Sequence, residues 1–372
     1  MDPVVVAYQR SGDFLTDVPL MTTTDLTPVF DGHNDALLRL ASAARAGEPI
    51  DFVTGDASLQ VDLPKAEEGG LRGGMFALFA PNSGKFDVSG GLSSMPAFPP
   101  ITRDEATPWM EEMIALADDL VARSSGRVRK CTTAADLAAA ESQDQLAMVL
   151  HIEGAEALSP DLSDFDRWCD LGVRSIGPVW SRPNAFAEGV PFAFPGDPDV
   201  GGGLSDAGKQ LLAAMDERGM IFDLSHLNAA GVRDVAKLSR LPLVATHSAV
   251  HEICPSPRNL TDEQLRMIAD SGGLVGLNFH VGFLRTDGAV GGLQLDLAEL
   301  VRHLDHLLAF LGEEGVALGS DYDGGVPPGD IASAARLQAL PAALREAGYS
   351  EDLIERICWR NWRSMLARVW GN

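Results

Sequence analysis

The sequence predicts a (β/α)8 barrel of the TIM type, with long loops on the face formed by the carboxyl ends of its strands. Eight short apolar runs alternate with longer stretches of helical periodicity across the 372 residues, as a parallel barrel requires. Gly- and Pro-rich stretches follow the apolar runs, whereas the connections from helices back into strands are short. Together these observations indicate a single domain over residues 1–372, with a barrel core at about residues 28–366.

The eight apolar runs have the length of buried parallel strands. They cover residues 28–33, 74–79, 147–152, 173–179, 220–224, 243–246, 274–279 and 316–320. Helical periodicity covers residues 108–123, 134–142, 204–218, 229–238, 261–269 and 295–311, and residues 350–366 predict an amphipathic helix that packs against the barrel. The loop-rich stretches 81–107, 181–203, 251–260 and 322–330 all follow strands. In a barrel, this places the elaborated loops on the catalytic face.

Charge and cysteine usage disfavour several classes of function. The chain has 53 acidic and 29 basic residues, a net charge of −24, which repels nucleic-acid phosphates and anionic membranes, so neither partner is expected. The 4 cysteines form no C-x-x-C pair and predict reduced thiols. Residues 1–18 lack a secretory leader pattern, and no window approaches the roughly 18 apolar residues of a membrane span. We therefore expect a cytoplasmic protein.

Side chains that can bind metals stand at the carboxyl ends of the first, third, fifth, sixth and eighth runs. They are His33, Asp35, Glu153, His226, His247, Asp321 and Asp323. The first two are two positions apart, so on an extended segment they point the same way. A single histidine at a strand end is usually structural. Three histidines and several carboxylates on one rim instead indicate a metal site.

The number of candidate ligands bears on mechanism. One catalytic zinc takes about three protein ligands and a water, which is fewer than the candidates. Two ions that share Glu153 use five of the candidates, with His33 and Asp35 on one ion and His226 and His247 on the other. Two such ions can activate water and polarise a carbonyl for hydrolysis. Asp321 is then free to move a proton to the leaving nitrogen. We expect two zinc ions, although other divalent metals suit the same donors.

Six segments resemble the membrane (renal) dipeptidase family, binuclear zinc peptidases of the amidohydrolase-like barrel group. They are DGHND (31–35), IEGAEAL (152–158), GMIFDLSH (219–226), ATHSAVHEICPSPRN (245–259), GGLVGLNF (272–279) and LGSDYDG (318–324). The resemblance runs in the family's order over about residues 29–361. It implies a zinc dipeptidase with the same ligands and with Asp321 as the proton-transfer residue. It also implies a small dipeptide substrate whose C-terminal residue can be of the D form, and a homodimer.

Arg258 matches the family arginine that holds the terminal carboxylate of the substrate. A planar guanidinium that donates two parallel hydrogen bonds suits this role. A salt bridge at the rim is the alternative interpretation.

The segment after the fourth strand departs from the family pattern. Trp180 stands where many members have a histidine that donates to the substrate carbonyl or oxyanion. An indole N–H can donate but cannot become charged, so its stabilisation of an oxyanion is weaker; ring packing over the substrate is an equally good role. His151, on the same side of its strand as Glu153, is either a partial substitute or a buried structural histidine. Asn278, at the end of the seventh run, is a further candidate for substrate binding.

Other polar residues near the strand ends have more ordinary interpretations. We expect Asn259 to shape its loop and Asp323 to cap the turn that follows it. His280 follows the seventh run and either lines the pocket or lies away from it. His303 and His306 share a helix at an i, i+3 spacing, which predicts solvent-facing side chains.

Three functional hypotheses follow. The leading one is a metallo-dipeptidase that cleaves the single peptide bond of small dipeptides. The second keeps the metals but changes the substrate to another small amide, such as an N-acyl amino acid, with Trp180 reshaping the pocket. The third is a non-catalytic metal-binding barrel, which is disfavoured because Asp321 and every ligand are present.

Overall fold

Eight parallel strands close into a barrel, as the alternation of short apolar runs predicts. The computed structural model describes residues 26–83, 91–291 and 295–371. Residues 1–18, from which we expect no secretory leader, lie outside this part of the chain. The strands are β1 (Val29–Asn34), β2 (Leu71–Phe79), β3 (Leu146–Glu153), β4 (Val173–Gly177), β5 (Ile221–Phe222), β6 (Val244–Ser248), β7 (Leu274–Asn278) and β8 (Val316–Gly319). They pair in the order β5, β4, β3, β2, β1, β8, β7, β6, and a parallel bridge between Asp223 and Val244 joins the ends. The predicted (β/α)8 barrel is confirmed.

Helices surround the barrel. They are α1 (Ala36–Ala46), α2 (Leu63–Gly69), α3 (Arg103–Arg123), α4 (Ala134–Ser142), α5 (Phe165–Asp170), α6 (Asp206–Arg218), α7 (Ala229–Leu238), α8 (Asp262–Asp270), α9 (Val281–Leu284), α10 (Leu297–Leu311), α11 (Ala339–Glu346), α12 (Glu351–Glu355) and α13 (Asn361–Trp370). The described helices include none with the length and apolar character needed to cross a membrane. All 4 cysteines are buried and unpaired, as expected.

Two of the differences from the predicted elements have clear local causes. Helix α3 begins at Arg103 rather than at residue 108 because Thr102 and Glu105 form a capping box, in which each side chain bonds the other residue's backbone N–H. A short extra strand, Val128–Lys130, pairs in parallel with the beginning of β3. Three residues are too few to show a strand period in the sequence.

The C-terminal helix closes the amino end of the barrel. A π-helical turn, Arg356–Arg360, joins α12 to α13, and the predicted helix over residues 350–366 therefore continues to Trp370. The fully buried Trp362 donates from Nε1 to the Leu318 carbonyl at 2.8 Å. Its ring centroid lies 5.9 Å from that of Phe30, which points into the barrel from β1. The expected packing role of this helix is confirmed.

His303 on α10 is buried, so the prediction of a solvent-facing side chain is wrong. Its Nδ1 accepts from the Val250 N–H at 3.2 Å, and its Nε2 lies 3.0 Å from the Leu284 carbonyl, to which it donates. His303 falls on the same helical stripe as Leu300, Leu304 and Leu307, which are also buried. This i, i+3, i+4, i+7 pattern marks the core face of a helix. It is the sequence signal that predicts a buried His303, whereas the i, i+3 spacing of the two histidines does not.

His303 is expected to make the folded state sensitive to acid. Burial lowers the pKa of His303 to about 4, below the value of about 6.5 in an unfolded chain. Its contribution to stability is therefore fully present above about pH 6.5 and is lost as the pH falls toward about 4, by up to about 3 kcal/mol. Between pH values of about 7.5 and 4.5, urea titrations should show a larger loss of unfolding free energy for wild type than for His303→Gln.

His306→Gln is the matched control for this experiment. His306 is partly exposed and pairs with Asp262 at 2.8 Å. An identical pH dependence of the unfolding free energy in wild type and His303→Gln would contradict the assignment of this acid sensitivity to His303.

Candidate metal centre

The predicted ligands meet at the carboxyl end of the barrel around one oxygen of Glu153. Its Oε1 lies 3.0 Å from Nε2 of His226, 3.5 Å from Nε2 of His247 and 3.8 Å from Nε2 of His33. Nε2 of His33 is also 3.3 Å from Oδ2 of Asp35. All five side chains are buried. The structure therefore brings together every ligand candidate that the two-ion interpretation requires.

His33 and Asp35 reach the same site by a route that differs from the predicted one. Strand β1 ends at Asn34, and its pairing with β2 is irregular between Asp31 and Asn34. Asp35 has φ −104° and ψ 25° where α1 begins, so it does not extend the strand. The common direction of the two side chains thus comes from a strand irregularity and a helix start, not from simple alternation.

Hydroxyl groups hold the second ring nitrogen of two histidines. Nδ1 of His226 lies 2.8 Å from Oγ of Ser181, and Nδ1 of His247 lies 2.8 Å from Oγ1 of Thr246. Burial, together with the nearby positive groups, lowers the pKa of both rings well below the usual value. Neutral imidazoles engaged at Nδ1 present Nε2 to the cluster. Hydrogen bonds of this kind orient histidine ligands in metal sites.

The donor set fits divalent cations. Both ring nitrogens of His33 are buried and form no hydrogen bond with the described residues. Two sets of three side chains have potential ligand atoms that all lie within 4.8 Å of one another. One set is His33, Glu153 and His247, and the other is His33, Asp35 and Asp321. Burial raises the pKa of Glu153 to about 8, and the carboxylates beside it add to this rise. A bound cation offsets that cost, and imidazole with carboxylate suits zinc and its first-row neighbours.

Asp321 lies at the edge of the cluster on a left-handed backbone, with φ 61°. Its N–H donates to the His33 carbonyl at 3.0 Å, and its Oδ2 accepts from Nδ2 of Asn278 at 3.0 Å. Its Oδ1 forms no hydrogen bond with a described residue. Burial raises the pKa of this carboxyl group. Asp321 is thus oriented through one oxygen, and the other is available to exchange a proton.

Asn278 and His280 support Asp321 from the end of β7. Oδ1 of Asn278 accepts from the His280 N–H at 2.6 Å, and Nδ1 of His280 accepts from the Val326 N–H at 2.9 Å. Val326 belongs to the loop that follows Asp321. A direct contact between Asn278 and substrate stays a prediction, because its observed partners are Asp321 and the backbone.

His151 lies in the barrel interior beneath the cluster. Its Nδ1 is 2.8 Å from Oγ of Ser175, its Nε2 is 3.6 Å from Oδ2 of Asp223, and its ring stands edge-on to His33 at 5.5 Å. The side chain is fully buried, and burial lowers its pKa to about 3. These contacts favour the structural interpretation of His151 over a role in substrate binding.

Arg258 is a buried cation that forms no ion pair within the described part of the chain. Its Nη2 donates to the His247 carbonyl at 3.0 Å and its Nη1 to Oγ of Ser248 at 3.4 Å, while Nε has no partner there. The alternative of a rim salt bridge is not observed. A buried charge without a counterion is costly. The carboxylate of a ligand beside His247 would supply the missing charge.

Trp180 packs within a group of aromatic rings beside the cluster. Its centroid lies 4.7 Å from Phe98, 5.0 Å from Phe79, 5.3 Å from Phe192 and 6.0 Å from the His226 ring. The side chain is only partly buried. Its observed contacts are between rings, which favours the packing role over the oxyanion role.

Two buried carboxylates that are not among the predicted site residues support the cluster. Asp31 accepts from the N–H and hydroxyl of Ser320 at 2.6 and 2.8 Å, which ties β1 to β8. Asp223 accepts from the N–H and hydroxyl of Thr246 at 2.7 and 2.8 Å, behind His247. Each precedes a proposed ligand histidine by two or three positions. This spacing is the sequence signal that could identify them as supporting residues.

The prediction that Asp323 caps its own following turn is wrong. Its carboxylate accepts from the backbone N–H groups of Gln60 and Val61 at 2.8 and 3.0 Å. The side chain therefore ties the loop after β8 to a segment 262 residues away. Asn259 does shape its loop, because its Nδ2 donates to the carbonyls of Cys254 and Phe283.

Comparisons with known proteins agree with this geometry. The sequence profile of the membrane dipeptidase family, peptidase family M19, matches residues 21–372. An uncharacterized protein from the pqqA 5′ region of Klebsiella pneumoniae is 44% identical over 259 residues, which is 70% of this chain and 95% of that protein. An uncharacterized protein from the PQQ-III 3′ region of Acinetobacter calcoaceticus is 37% identical over 290 residues, 76% of this chain and 89% of that protein.

Solved structures show the same architecture. The dipeptidase AC, a metallo peptidase of family M19, superposes with a TM-score of 0.88 at 44% identity over 94% of this chain and 100% of its own. A metallo peptidase from Rhodobacter sphaeroides, bound to a phosphinate mimic of the dipeptide L-Ala-D-Ala, superposes with a TM-score of 0.88 at 43% identity. The match covers 93% of this chain and 100% of that protein. The probable dipeptidase PvdM from Pseudomonas aeruginosa superposes with a TM-score of 0.78 at 25% identity. The match covers 94% of this chain and 96% of PvdM.

Removal of metal is expected to destabilise the protein. The buried carboxylates and imidazoles lose the cations that offset their burial, and a ligand at 100 times its Kd stabilises a fold by about 2.7 kcal/mol. Calorimetry should show a lower Tm after chelation and recovery when zinc is added. Glu153→Gln should abolish this zinc-dependent shift, whereas Glu188→Gln, an exposed acid on the same rim, should retain it. A zinc-dependent Tm shift that survives Glu153→Gln contradicts the site.

Proposed function

This chain belongs to the membrane dipeptidase family and is a metallopeptidase, and we propose that it hydrolyses small dipeptides with two divalent ions, zinc foremost. The observation that carries the proposal is a shared carboxylate oxygen among three imidazoles, next to a buried arginine that has no counterion among the described residues. One ion would be held by His33, Asp35 and Glu153, and the other by Glu153, His226 and His247. The presence of Asp321 and the complete ligand set argues against a non-catalytic barrel.

The residues around the cluster have different roles in the proposed hydrolysis. When bound, the ions supply a Lewis acid that polarises the scissile carbonyl and acidifies water. Asp321 accepts a proton from the attacking water and returns it to the leaving nitrogen. Its hydrogen bond from Asn278 at 3.0 Å keeps the carboxylate oriented during both transfers.

Arg258 would set the position of the substrate by binding its terminal carboxylate. The guanidinium is fixed beside the His247 carbonyl at 3.0 Å, so a substrate held there places its peptide bond near the ligand cluster. The relative from Rhodobacter sphaeroides is bound to a mimic of L-Ala-D-Ala. We infer that this chain also accepts dipeptides whose C-terminal residue is of the D form.

The proposed function is tested directly by turnover. Enzyme supplied with two equivalents of zinc is assayed on dipeptides of L-L and L-D composition and on N-acyl amino acids, with the released amino acids quantified. Hydrolysis of dipeptides is the expected result. No release from any dipeptide would overturn the proposal, and turnover of N-acyl amino acids alone would transfer it to that other class of amide. A cytoplasmic location and a homodimer stay predictions.

Asp321→Asn is expected to lower kcat by roughly 10²- to 10⁴-fold, the usual range for loss of a general acid–base group. The amide cannot accept the proton from water, but the proposed metal ligands remain. Zinc content by elemental analysis should therefore match that of wild type. Asp197→Asn, an exposed acid in the loop after β4, is the control and should leave kcat unchanged. Full activity in Asp321→Asn would remove Asp321 from the mechanism.

Arg258→Met is expected to abolish the preference for a free C-terminal carboxylate. Hydrogen bonds to charged groups contribute about 1.5–3 kcal/mol, so kcat/KM for a dipeptide should fall by roughly 10- to 150-fold. The corresponding dipeptide amide should lose far less in kcat/KM. An equal loss for the acid and the amide would show that Arg258 does not contact the carboxylate.

A further inference from the structure

Four aromatic rings form a side pocket next to the metal centre. This aromatic pocket consists of Phe79, Phe98, Trp180 and Phe192. Trp180 lies in its middle, within 4.7–5.3 Å of the other three ring centroids. Trp180, Phe98 and Phe192 are partly exposed, so their rings still offer surface to a ligand. The contact with His226, at 6.0 Å between centroids, joins the pocket to the proposed metal ligands.

The aromatic pocket extends from the side of Arg258 to the opposite side of the barrel. At its near end, Phe192 stacks on Phe283 with ring centroids 6.2 Å apart, and the Arg258 guanidinium lies 5.3 Å from the Phe283 ring. At its far end, Phe79 is the last residue of β2, and β2 is diametrically opposed to β6, on which Arg258 bonds to the His247 carbonyl. A dipeptide anchored at Arg258 with its peptide bond at Glu153 therefore directs its N-terminal residue toward β2 and the Phe79 end of the aromatic pocket.

A buried arginine fixes the aromatic pocket from behind. Arg182 is 1% exposed, and its guanidinium donates to Oε1 of Glu156 at 2.8 Å, Oδ1 of Asn82 at 2.9 Å and the Ala80 carbonyl at 2.8 Å. These partners belong to the loops after β2 and β3, and Arg182 itself lies in the loop after β4, so its hydrogen bonds tie three loops together. A substrate cannot reach the guanidinium, because it is enclosed on all sides.

The same guanidinium lies beside two rings of the pocket. Its central carbon is 5.2 Å from the Phe79 ring and 5.4 Å from the Trp180 ring, within cation–π range. The rings are therefore held in place before substrate binds, which reduces the ordering cost of binding.

We propose that the aromatic pocket receives the N-terminal side chain of the dipeptide and selects for apolar residues there, with Arg182 as its positioning residue. This inference rests on the proposed dipeptidase function. Apolar surface that the substrate buries against the rings stabilises the bound state in proportion to its area. The pocket offers no carboxylate to a lysine side chain among its four members, and the nearby carboxylate of Glu156 is already paired with Arg182 at 2.8 Å.

The test is a series of dipeptides with alanine at the C-terminal position and Gly, Ala, Leu, Phe, Asp or Lys at the N-terminal position. We expect kcat/KM for Leu-Ala to exceed that for Gly-Ala at least about tenfold, with Lys-Ala below Ala-Ala. Trp180→Ala should reduce the ratio of Leu-Ala to Gly-Ala to within about threefold. Trp109→Ala, which removes a tryptophan stacked on Arg45 at 3.6 Å far from the site, should retain the wild-type ratio.

A second series, with alanine at the N-terminal position and a varied C-terminal residue, identifies the end that the pocket binds. Trp180→Ala should leave the ratios in this series unchanged. A change confined to this second series, or a flat first series with active enzyme, overturns the inference and leaves the proposed function intact. Failure to cleave any dipeptide instead overturns the proposed function.

The positioning role of Arg182 is tested by Arg182→Met and by the double variant Arg182→Met with Glu156→Gln. The double variant avoids leaving a buried carboxylate without its partner. Both should lower the ratio of Leu-Ala to Gly-Ala as Trp180→Ala does, with zinc content unchanged by elemental analysis. A wild-type ratio in a folded, zinc-loaded double variant would show that Arg182 does not position the pocket.

Discussion

The convergence of three imidazoles on one carboxylate oxygen is the constraint on which the rest of the site depends. A cation bound there would offset the cost of burying Glu153, because a buried carboxylate beside other carboxylates otherwise favours its protonated form. The arrangement around it serves this purpose. Hydroxyl groups orient the histidines, Asp31 and Asp223 join neighbouring strands below them, and Asn278 aligns Asp321. Apart from the Thr246–His247 bond within β6, each support acts through hydrogen bonds between adjacent strand ends.

Much of the architecture was predictable because a parallel barrel imposes a strong pattern on its sequence. Buried strands require short apolar runs, and the topology gathers their carboxyl ends on one rim. Metal ligands on those ends, such as His33 and His247, are therefore recognisable without coordinates. Arg258 was identifiable from the dipeptidase motif that surrounds it, and its burial without a counterion supports the expected role in binding a carboxylate.

The remaining features depend on contacts between distant segments, which local patterns do not encode. Asp323 bonds to backbone N–H groups near residue 60, and nothing in the LGSDYDG segment indicates that partner. Arg182 joins three loops whose relative positions are set only when the barrel closes. Trp180 is recognisable as a departure from the family pattern, but its place in an aromatic cluster depends on the positions of Phe79, Phe98 and Phe192. The burial of His303 follows from its spacing to the neighbouring leucines, not from its spacing to His306.

The closure of the amino end of the barrel by the C-terminal helix has a consequence for synthesis. Phe30 belongs to the first strand, and its partner Trp362 lies within the last helix. During translation, the apolar interior at this end stays uncovered until α13 has been made. The proposed metal ligands, which come from β1, β3, β5 and β6, precede α13 by more than about 100 residues. The nascent chain therefore carries its chemical groups before α13 can cover this end of the core.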